Sequence, residues 1–454
     1  EPLNKPEAQV ESGLFSSTGS LDGIVPTEEA TLHSLHLNLS AKGELPHNLF
    51  YSAGVKIQDD RASYPFAPQN FQHDHGIPYN VAIRSDDDLG KVGTEKERTW
   101  DTFHALLEHR SDWLKIETGV GFLSQGPAER NPLVLAGNRL PWRPSHYGSS
   151  IIAERSPLLH ATFQIDWRRL SYRQSTAELK QKIGYNKYLH NHRVEFSTDR
   201  FSIAAGEQII YGSTISKSEI RRDSVVRELE WIYALPFVPY FSAERFNGDR
   251  DNVSVSIDFS LFPFSSSQKA FELYGELLVD DFMSPEELFD SSWWGNKWGF
   301  TGGIRNAHQG VCPWGWGWEY TRIEPWVGTH TRGAANNTMH FGYPLGSDLG
   351  PNSQEHWFHI DIYPSLIGEL RLFHSTVWKG TDRGSEISDI HTKADGTGKT
   401  FLDPSTRLRW NEFGIEWRRV FAQRAELQGG FSYLSGDTEG WRGAVGVRVG
   451  LRPL

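Results

Sequence analysis

Three tryptophans alternate with glycine in the run Trp314-Gly315-Trp316-Gly317-Trp318. In an extended strand alternate side chains point to the same face, so the three indole rings would lie side by side. Flat aromatic rings pack on the C–H faces of sugars, and nearby carboxylate or guanidinium groups hydrogen-bond sugar hydroxyls. Asp382 and Arg383, in a polar glycine-rich stretch, are suited to this role. These five residues are candidates for polysaccharide binding, although for any single tryptophan, packing at a membrane interface or in a plug is the simpler interpretation.

Two acidic pairs have residue types that could serve as reactive or metal-binding groups. Asp280 and Asp281 are adjacent, so on a strand they point to opposite faces and cannot face each other across a scissile bond. A salt bridge or a turn is the expected role. The corner containing Asp249 and Asp251 lacks the oxygen spacing of a calcium loop, so a tight surface turn is expected there.

The histidines and hydroxyl residues form no recognisable catalytic or metal-binding pattern. Close pairs such as His73/His75 and His190/His192 have no matched third ligand. His160 and Ser171 lie too far apart on one predicted strand to hydrogen-bond. Neither G-x-S-x-G nor a phosphate-binding loop occurs. The sequence therefore predicts no enzyme, no metal and no cofactor.

The elements that must position these residues show a period of two. Apolar and polar residues alternate over 253–261, 271–279, 163–167 and the C-terminal 441–452, as expected for strands with one apolar face. A soluble sandwich and a transmembrane barrel can both use such strands. The barrel is favoured because the polar faces mix Arg, Glu and Asp, and because many strands run for about 10 residues, as a tilted membrane strand requires. Aromatic residues also lie near many strand ends, where membrane-interface girdles belong.

The overall composition narrows the classes of protein. The 454 residues carry 46 basic and 57 acidic side chains, a formal net charge of −11. Because no basic stripe is available to replace counterions on phosphates, no nucleic-acid partner is expected. Cys312 is the only cysteine, which excludes an intramolecular disulfide. The longest apolar run, Trp231 to Phe241, is broken by Pro236 and Pro239 and is too short for a membrane helix.

Counting strands back from the C-terminus predicts about eighteen, and an even number suits a single-chain bacterial barrel. Residues 1–29 are then an N-terminal periplasmic or plug segment, and 30–454 form the outer-membrane barrel. With both termini in the periplasm, 125–157 and 283–296 are expected to be periplasmic or plug insertions, and 380–406 an outer loop.

The same count positions the tryptophans. It assigns the Trp314 to Trp318 run to an outer loop, and Trp293 and Trp294 to the neighbourhood of a periplasmic turn. The eighteen strands of the count include those predicted at 158–173, 225–234 and 336–344.

Several stretches resemble the Wzi capsule-assembly family of Gram-negative outer membranes. The most specific is Tyr274-Gly275-Glu276-Leu277-Leu278-Val279-Asp280-Asp281-Phe282, preceded by an alternating serine-rich strand and the corner that contains Asp251 and Asn252. Weaker matches include Gly126-Pro127 before an Asn-x-Leu-x-Leu run, and His192-Arg193-Val194-Glu195 before Ile210-Tyr211-Gly212. Together the matches span about residues 113 to 353.

The resemblance implies an eighteen-stranded outer-membrane barrel with a periplasmic helical element. It also implies a lectin-like, non-catalytic role in attaching capsule or exopolysaccharide to the cell surface. The expected partners are surface polysaccharide, outer-membrane lipid and other polysaccharide-export components. The alternative is a porin-like diffusion or export channel, which requires an open lumen. A lipid- or glycan-modifying barrel enzyme is a third, weaker possibility, because no catalytic constellation is present.

Overall fold

The fold is a sheet of eighteen long antiparallel strands. The computed structural model describes residues 7–19, 30–62, 97–137, 157–180, 186–213, 226–248, 250–266, 269–281, 290–310, 312–340, 343–365, 367–421 and 425–450. The strands are β1 (Glu7–Gly19), β2 (Ala30–Leu45), β3 (Leu49–Ala62), β4 (Glu97–Arg110), β5 (Leu114–Gly121), β6 (Leu158–Trp167), β7 (Leu170–Lys180), β8 (Asn186–Ser197), β9 (Phe201–Gly212), β10 (Asn252–Leu261), β11 (Lys269–Asp280), β12 (Lys297–His308), β13 (Trp314–Ile323), β14 (Ser353–Ile362), β15 (Glu369–Lys379), β16 (Leu408–Phe421), β17 (Ala425–Gly436) and β18 (Gly440–Gly450).

Pairing between the first and last strands closes this sheet into a barrel. Each strand pairs antiparallel with the next, and β1 also pairs with β18, with Glu11 opposite Gly450. Closure removes the unpaired sheet edges that a bilayer does not tolerate. The predicted eighteen-stranded barrel is confirmed.

The two faces of each strand follow the alternation in the sequence. On β14, Glu355, Trp357 and Asp361 are buried inside the barrel, whereas Phe358 between them is exposed on the outside. On β18 the exposed outward residues include Val445. Because the outward residues are mostly apolar and the inward ones mostly polar, the barrel has the polarity of a membrane protein.

The individual strands differ from the prediction in four places. The described residues of 225–234 contain a short helix, and those of 336–344 contain two two-residue strands in place of one long strand. The predicted strand 158–173 is divided into β6 and β7, because Arg168 adopts a positive φ of 57° and forms a tight turn. The predicted N-terminal segment 1–29 contains β1, whose serines weaken its apolar alternation. The prediction thus included two strands that do not form, at 225–234 and 336–344. It also missed β1 and counted β6 and β7 as one strand, so the predicted number of strands was still eighteen.

The ends of the described strands place the long connections after β5, β9, β11, β13 and β15 at one end of the barrel. We call this the long-loop end, formed by 122–157, 213–251, 281–296, 324–352 and 380–407, and the other the short-turn end, which has turns such as 111–113 and 198–200. The prediction that 125–157 and 283–296 lie opposite 380–406 is therefore wrong. Four strands, rather than the predicted five, separate 283–296 from 380–406, so both segments emerge at the same end. Residues 138–156 and 282–289 are outside the described ranges.

Residues 226–248, the larger described part of the connection between β9 and β10, contain two helices. They are α1 (Trp231–Ala234) and α2 (Tyr240–Asn247), and α2 ends at Gly248, which adopts a left-handed conformation. Single 3₁₀ turns occur at Gly333–Ala335 and Lys393–Asp395. Within the described ranges no helix is both long and apolar enough to cross a bilayer.

Candidate functional site

A segment from the β5–β6 connection enters the barrel interior. We call residues 122–137 the lumenal segment. At its start, the Arg173 guanidinium of β7 donates to the Ser124 carbonyl at 3.0 Å, and the Gln125 amide donates to the Ser256 hydroxyl of β10 at 3.0 Å. Further along, Arg371 of β15 contacts the Glu129 carboxylate at 3.1 Å. Residues 122–137 thus span the interior from β7 to β15.

Two inward glutamates bind the backbone of the lumenal segment. Glu276 of β11 accepts hydrogen bonds from the N–H groups of Ala128 and Leu133, each at 2.8 Å. Glu319 of β13 accepts from the N–H groups of Glu129 and Asn131 at 2.8 and 2.7 Å. Burying a carboxylate is costly unless charged or hydrogen-bonded partners replace water. These donors satisfy that requirement and also hold an otherwise irregular backbone in one conformation.

A third glutamate, Glu355 of β14, binds side chains of the same segment. Its carboxylate contacts the Arg130 guanidinium at 2.8 Å and the Asn131 amide at 2.7 Å, and it also accepts from the Ser375 hydroxyl. The side chains of Glu355 and Arg130 are 0% and 3% exposed. This is a fully buried ion pair, so loss of either partner would leave an uncompensated charge in the interior.

The C-terminal half of the lumenal segment is apolar and joins the main hydrophobic core. Leu133, Val134 and Leu135 are buried in a cluster that includes Val327 and Leu345 from the β13–β14 connection. The N–H of Ala136 donates to the Leu345 carbonyl at 2.8 Å. The lumenal segment is therefore fixed on one side by carboxylates of the wall and on the other by a second connection folded into the barrel mouth.

A cleft opens at the long-loop end among three connections. Its volume is about 490 Å³, and its lining residues are Asp290, Ser292, Trp293, Pro325, Trp326, Asp382, Arg383, Asp395, Thr397, Gly398, Lys399 and Thr400. An antiparallel bridge between Trp293 and Gly398 joins two of these connections. The cleft thus combines two indole rings with three carboxylates and two cationic side chains.

The aromatic wall of the cleft is part of a larger stack. Trp294 stacks on His391 with ring centroids 3.7 Å apart, and Trp326 approaches the same ring edge-on at 4.9 Å. Burial lowers the pKa of His391, which favours the neutral ring between the two indoles. Gly384 adopts a φ of 89°, and a Cβ there would lie 2.5 Å from the Trp326 ring. Glycine at position 384 therefore allows this close approach.

The charged groups of the cleft are fixed by local hydrogen bonds. Arg383 contacts Asp395 at 2.5 Å, although its own side chain is 60% exposed. The pKa of Asp395 is lowered by hydrogen bonds from the Thr392 hydroxyl and N–H. Asp382 accepts from the Asn352 amide at 2.9 Å. The guanidinium and carboxylates are thus held in place beside solvent, an arrangement suited to hydrogen-bonding polar ligand groups.

A second cation of the cleft is paired beneath its surface. Lys399 contacts the Glu324 carboxylate at 2.8 Å and also donates to the Asn296 carbonyl. Burial lowers the pKa of Lys399, and the neighbouring Glu324 opposes that effect. Lys399 therefore links the 290–296 and 324–352 parts of the cleft, while Arg383 is the more accessible cation.

The predicted residues are not brought together. Asp382 and Arg383 line the cleft, whereas Trp314 begins β13 at the short-turn end. Trp314 and Trp318 project outward from the barrel wall and are 43% and 40% exposed. The predicted strand at 336–344, which does not form, placed this run at the same end as Asp382 and Arg383. It also separated Trp293 from those two residues, which in the structure line the same cleft. No sequence motif marks Trp326 or Asp395.

The resemblance positions in the β11 motif have structural partners. The Tyr274 hydroxyl donates to Glu319 at 2.8 Å, beside the lumenal segment. Asp280 accepts from the Gly328 N–H at 2.7 Å, and both Asp280 and Asp281 pair with Lys297. Gly275 faces outward under the Phe259 ring, where a Cβ would lie 2.7 Å from that ring. These residues hold the wall, the lumenal segment and the β13–β14 connection together.

The Asp251-Asn252 corner has a similar structural role. Asp251 pairs with Arg227 and accepts from the Tyr233 hydroxyl at 2.8 Å. The Asn252 amide donates to the Asn336 carbonyl at 2.9 Å. Among the residues that the structure describes, no group of three or more His, Cys, Asp or Glu side chains is arranged to hold a metal ion.

Comparisons with known proteins show the fold. At the level of sequence, the chain matches no family model and no curated protein. It is similar in structure to Wzi of Escherichia coli, an outer-membrane carbohydrate-binding β-barrel involved in group 1 capsule assembly, with a TM-score of 0.56, 13% identity, and coverage of 97% of this chain and 84% of that one.

Two other solved structures are similar to nearly the same degree. OccK5 (OpdH) of Pseudomonas aeruginosa has a TM-score of 0.52 and 9% identity, with coverage of 100% of this chain and 99% of that one. OccAB2 of Acinetobacter baumannii has a TM-score of 0.51 and 7% identity, with coverage of 99% and 98%. The fold is therefore that of a bacterial outer-membrane β-barrel, and the chain is assigned to the outer membrane.

Proposed function

We propose that this protein binds capsular polysaccharide or exopolysaccharide at the cell surface, without catalysis, in the manner of the Wzi family. The cleft at the long-loop end is the observation that carries the proposal. Trp293 offers a partly exposed indole face for sugar C–H groups, and Asp382 and Arg383 offer hydrogen-bonding groups for hydroxyls or acidic substituents.

The direction in which the cleft faces supports this function. Outer-membrane barrels have short periplasmic turns and longer extracellular loops. By that rule the long-loop end of this barrel faces the exterior, where surface polysaccharide is located. The outward-facing Trp314, Trp316 and Trp318 then lie toward the periplasmic end, where they fit an interfacial girdle better than a sugar site.

A single cleft of this size accommodates only a few sugar units, so its affinity for a monosaccharide is expected to be weak. A polymer presents many copies of the same unit, and neighbouring barrels in one membrane can bind the same chain. Linked weak contacts of this kind gain by effective concentration. Retention of a long polysaccharide is therefore the expected activity, with other polysaccharide-export components as further proposed partners.

The alternative function is a porin-like channel, and the fold is also similar to that of the Occ porins. The lumenal segment distinguishes the two functions. An open pore needs only a constriction loop, whereas here Glu276, Glu319 and Glu355 fix a spanning segment by direct hydrogen bonds. This arrangement favours a binding protein over a wide diffusion channel.

The deciding experiment measures both properties on one preparation. The purified full chain is placed in a planar bilayer, and its single-channel conductance is recorded with and without the host's surface polysaccharide. The same preparation is passed over immobilised polysaccharide. The proposal expects no steady large conductance together with retention on the column. Steady large conductance without retention would overturn it in favour of a porin.

A further inference from the structure

One part of the barrel's outer wall is covered by protein. On β8 and β9 the outward residues Val194 and Ile203 are about half exposed, as lipid-facing residues should be. Farther along the same outward faces, His190, Ile209 and Tyr211 are 0% exposed. Residues 226–248, which include α1 and α2, lie over them, and we call this segment the lateral cover.

Hydrogen bonds attach the lateral cover to the outward faces of β7 and β9. The N–H of Tyr240 donates to the Glu207 carboxylate at 2.7 Å, and the N–H of Phe237 donates to the Tyr172 hydroxyl at 3.0 Å. The Gln174 amide of β7 donates to the Tyr233 carbonyl at 3.2 Å. Glu207 and Gln174 are on the outward face of the wall, which elsewhere on this barrel faces lipid. The lateral cover gives their side chains hydrogen-bond partners, which hydrocarbon cannot provide.

Aromatic packing seals the contact between the lateral cover and the wall. His192 of β8 stacks on Tyr240 with centroids 4.3 Å apart, and Tyr172 stacks on Phe237 at 4.3 Å. Tyr211 and Tyr233 are completely buried in the same cluster. The inner side of the lateral cover is therefore packed against the outer face of β7, β8 and β9.

The outer side of the lateral cover exposes several large apolar side chains, beside the charged Glu228 and Arg245, and has no protein against it within the described residues. Trp231 and Phe246 are 74% and 84% exposed, more than most outward residues of the strands. Val226, Leu235 and Phe237 are also exposed. A patch of this kind needs an apolar partner.

The position of the lateral cover identifies that partner. Its tip at Phe237 contacts Tyr172, and the register partner of Tyr172 is Val194, a residue of the lipid-facing band. At Phe237 the apolar patch thus adjoins the outward apolar band of the barrel wall. We propose that the lateral cover is immersed in the membrane and that its outer face contacts lipid acyl chains of the leaflet at the long-loop end, with Trp231 among its membrane anchors.

This proposal does not depend on polysaccharide binding. It assigns a role to the apolar run Trp231 to Phe241, which is too short and too interrupted by proline to cross a membrane. Such a segment can instead lie along a membrane, provided that its polar backbone groups find partners on the other side. Here Glu207, Tyr172 and Gln174 are among those partners.

Site-directed spin labelling of the full chain in phospholipid bilayers tests the proposal. Because Cys312 is the only cysteine, a Cys312→Ser background permits single labels at Phe246→Cys and Trp231→Cys. Val194→Cys on the barrel wall is the lipid-facing control, and Lys393→Cys in the β15–β16 connection is the water-facing control. Collisions of each label with dissolved oxygen and with a water-soluble nickel chelate are measured.

We expect labels at positions 246 and 231 to collide preferentially with oxygen, as the lipid-facing label at 194 should. The water-facing label at 393 should instead collide preferentially with the nickel chelate. Preferential collision with the nickel chelate at both positions would overturn the proposal, because the patch would then face water. Protection from both reagents would also overturn it, since the face would then be covered by another protein or a second copy of the chain. Two labelled positions keep the test valid if one variant fails to fold.

Discussion

The backbone N–H of Asn131 donates a hydrogen bond of 2.7 Å to the carboxylate of Glu319, joining two residues 188 positions apart in the sequence. Glu319 stands on the barrel wall and Asn131 in the lumenal segment, so this bond is one of those that keep the segment inside the barrel. Its consequences can be measured as both conductance and stability.

Replacement of Glu319 should release part of the lumenal segment. Glu319→Ala removes the acceptor for several buried N–H groups, and each unsatisfied group costs about 1–3 kcal/mol. We expect lower resistance to urea in detergent micelles and new channel openings in planar bilayers. Glu369→Ala, at the short-turn end of β15, is the control and should change neither. A Glu319→Ala barrel that stays closed and equally stable would contradict this assignment.

The buried pair of Arg130 and Glu355 predicts a non-additive stability effect. Arg130→Ala leaves the Glu355 carboxylate without its guanidinium and should reduce the free energy of unfolding by about 3–5 kcal/mol. The double variant Arg130→Met with Glu355→Gln removes both charges and should lose less than the single variant. Urea unfolding followed by tryptophan fluorescence measures both. If the double variant loses as much free energy of unfolding as the single variant, or more, the uncompensated charge of Glu355 is not the cause of the destabilisation.

Two substitutions in the cleft test the polysaccharide site. Trp293→Ala removes an indole platform, and Arg383→Ala removes the most accessible cation, so each should weaken polysaccharide retention by about tenfold, or about 1.4 kcal/mol. Affinity electrophoresis in gels containing the polysaccharide measures this. Lys393→Ala changes a nearby exposed cation that does not line the cleft and should have no effect. If Trp293→Ala and Arg383→Ala both bind the polysaccharide as the parent does, the sugar site lies elsewhere.

The cleft should also respond to acid in a defined direction. The pKa of Asp395 lies below its ordinary value of 3.8, because Thr392 donates hydrogen bonds to the ionised carboxylate. Its contribution to loop order is therefore complete above about pH 4 and is lost as the pH falls through the lowered pKa. The protection of the amides of 391–399 against hydrogen exchange, relative to the intrinsic exchange rate at each pH, should be constant down to that range and then fall.

The Thr392→Ala variant identifies the cause of this acid response. Without the Thr392 hydroxyl, the pKa of Asp395 should rise toward 3.8, and the loop should loosen at a higher pH than in the parent. Asp395→Asn should abolish the step altogether. A step that survives unchanged in Asp395→Asn would assign the acid response to another group.

Much of the fold could be predicted because the relevant signal is local. Side chains on a strand alternate between two faces, so runs such as Val253 to Leu261 predict both a strand and its lipid-facing side. The mixture of Arg, Glu and Asp on the opposite faces indicated a polar interior. Neither inference requires knowledge of which residues meet across the barrel.

The errors arose where local alternation does not determine the path of the chain. Nothing local in 158–173 distinguishes one long strand from two strands joined at Arg168, and residues 225–234 alternate well enough to resemble a strand. Consecutive strands of the barrel alternate in direction, so one strand too many or too few moves a connection to the opposite end. In a count that starts at the C-terminus, this affects every connection N-terminal to the error. Because strands were counted back from the C-terminus, the false strand at 336–344 placed the Trp314 run with Asp382 and Arg383, although the structure separates them by the length of the barrel.

Residue order along the chain was enough to predict the class of the protein, a membrane barrel with a polar interior and an even number of strands. The tertiary structure alone decided what lies inside and outside that barrel. Glu276, Glu319 and Glu355 meet the lumenal segment across separations of 143 to 225 residues, and the cleft combines three separate connections. Such contacts depend on barrel closure and strand register. A periodic signal within one strand carries no information about either.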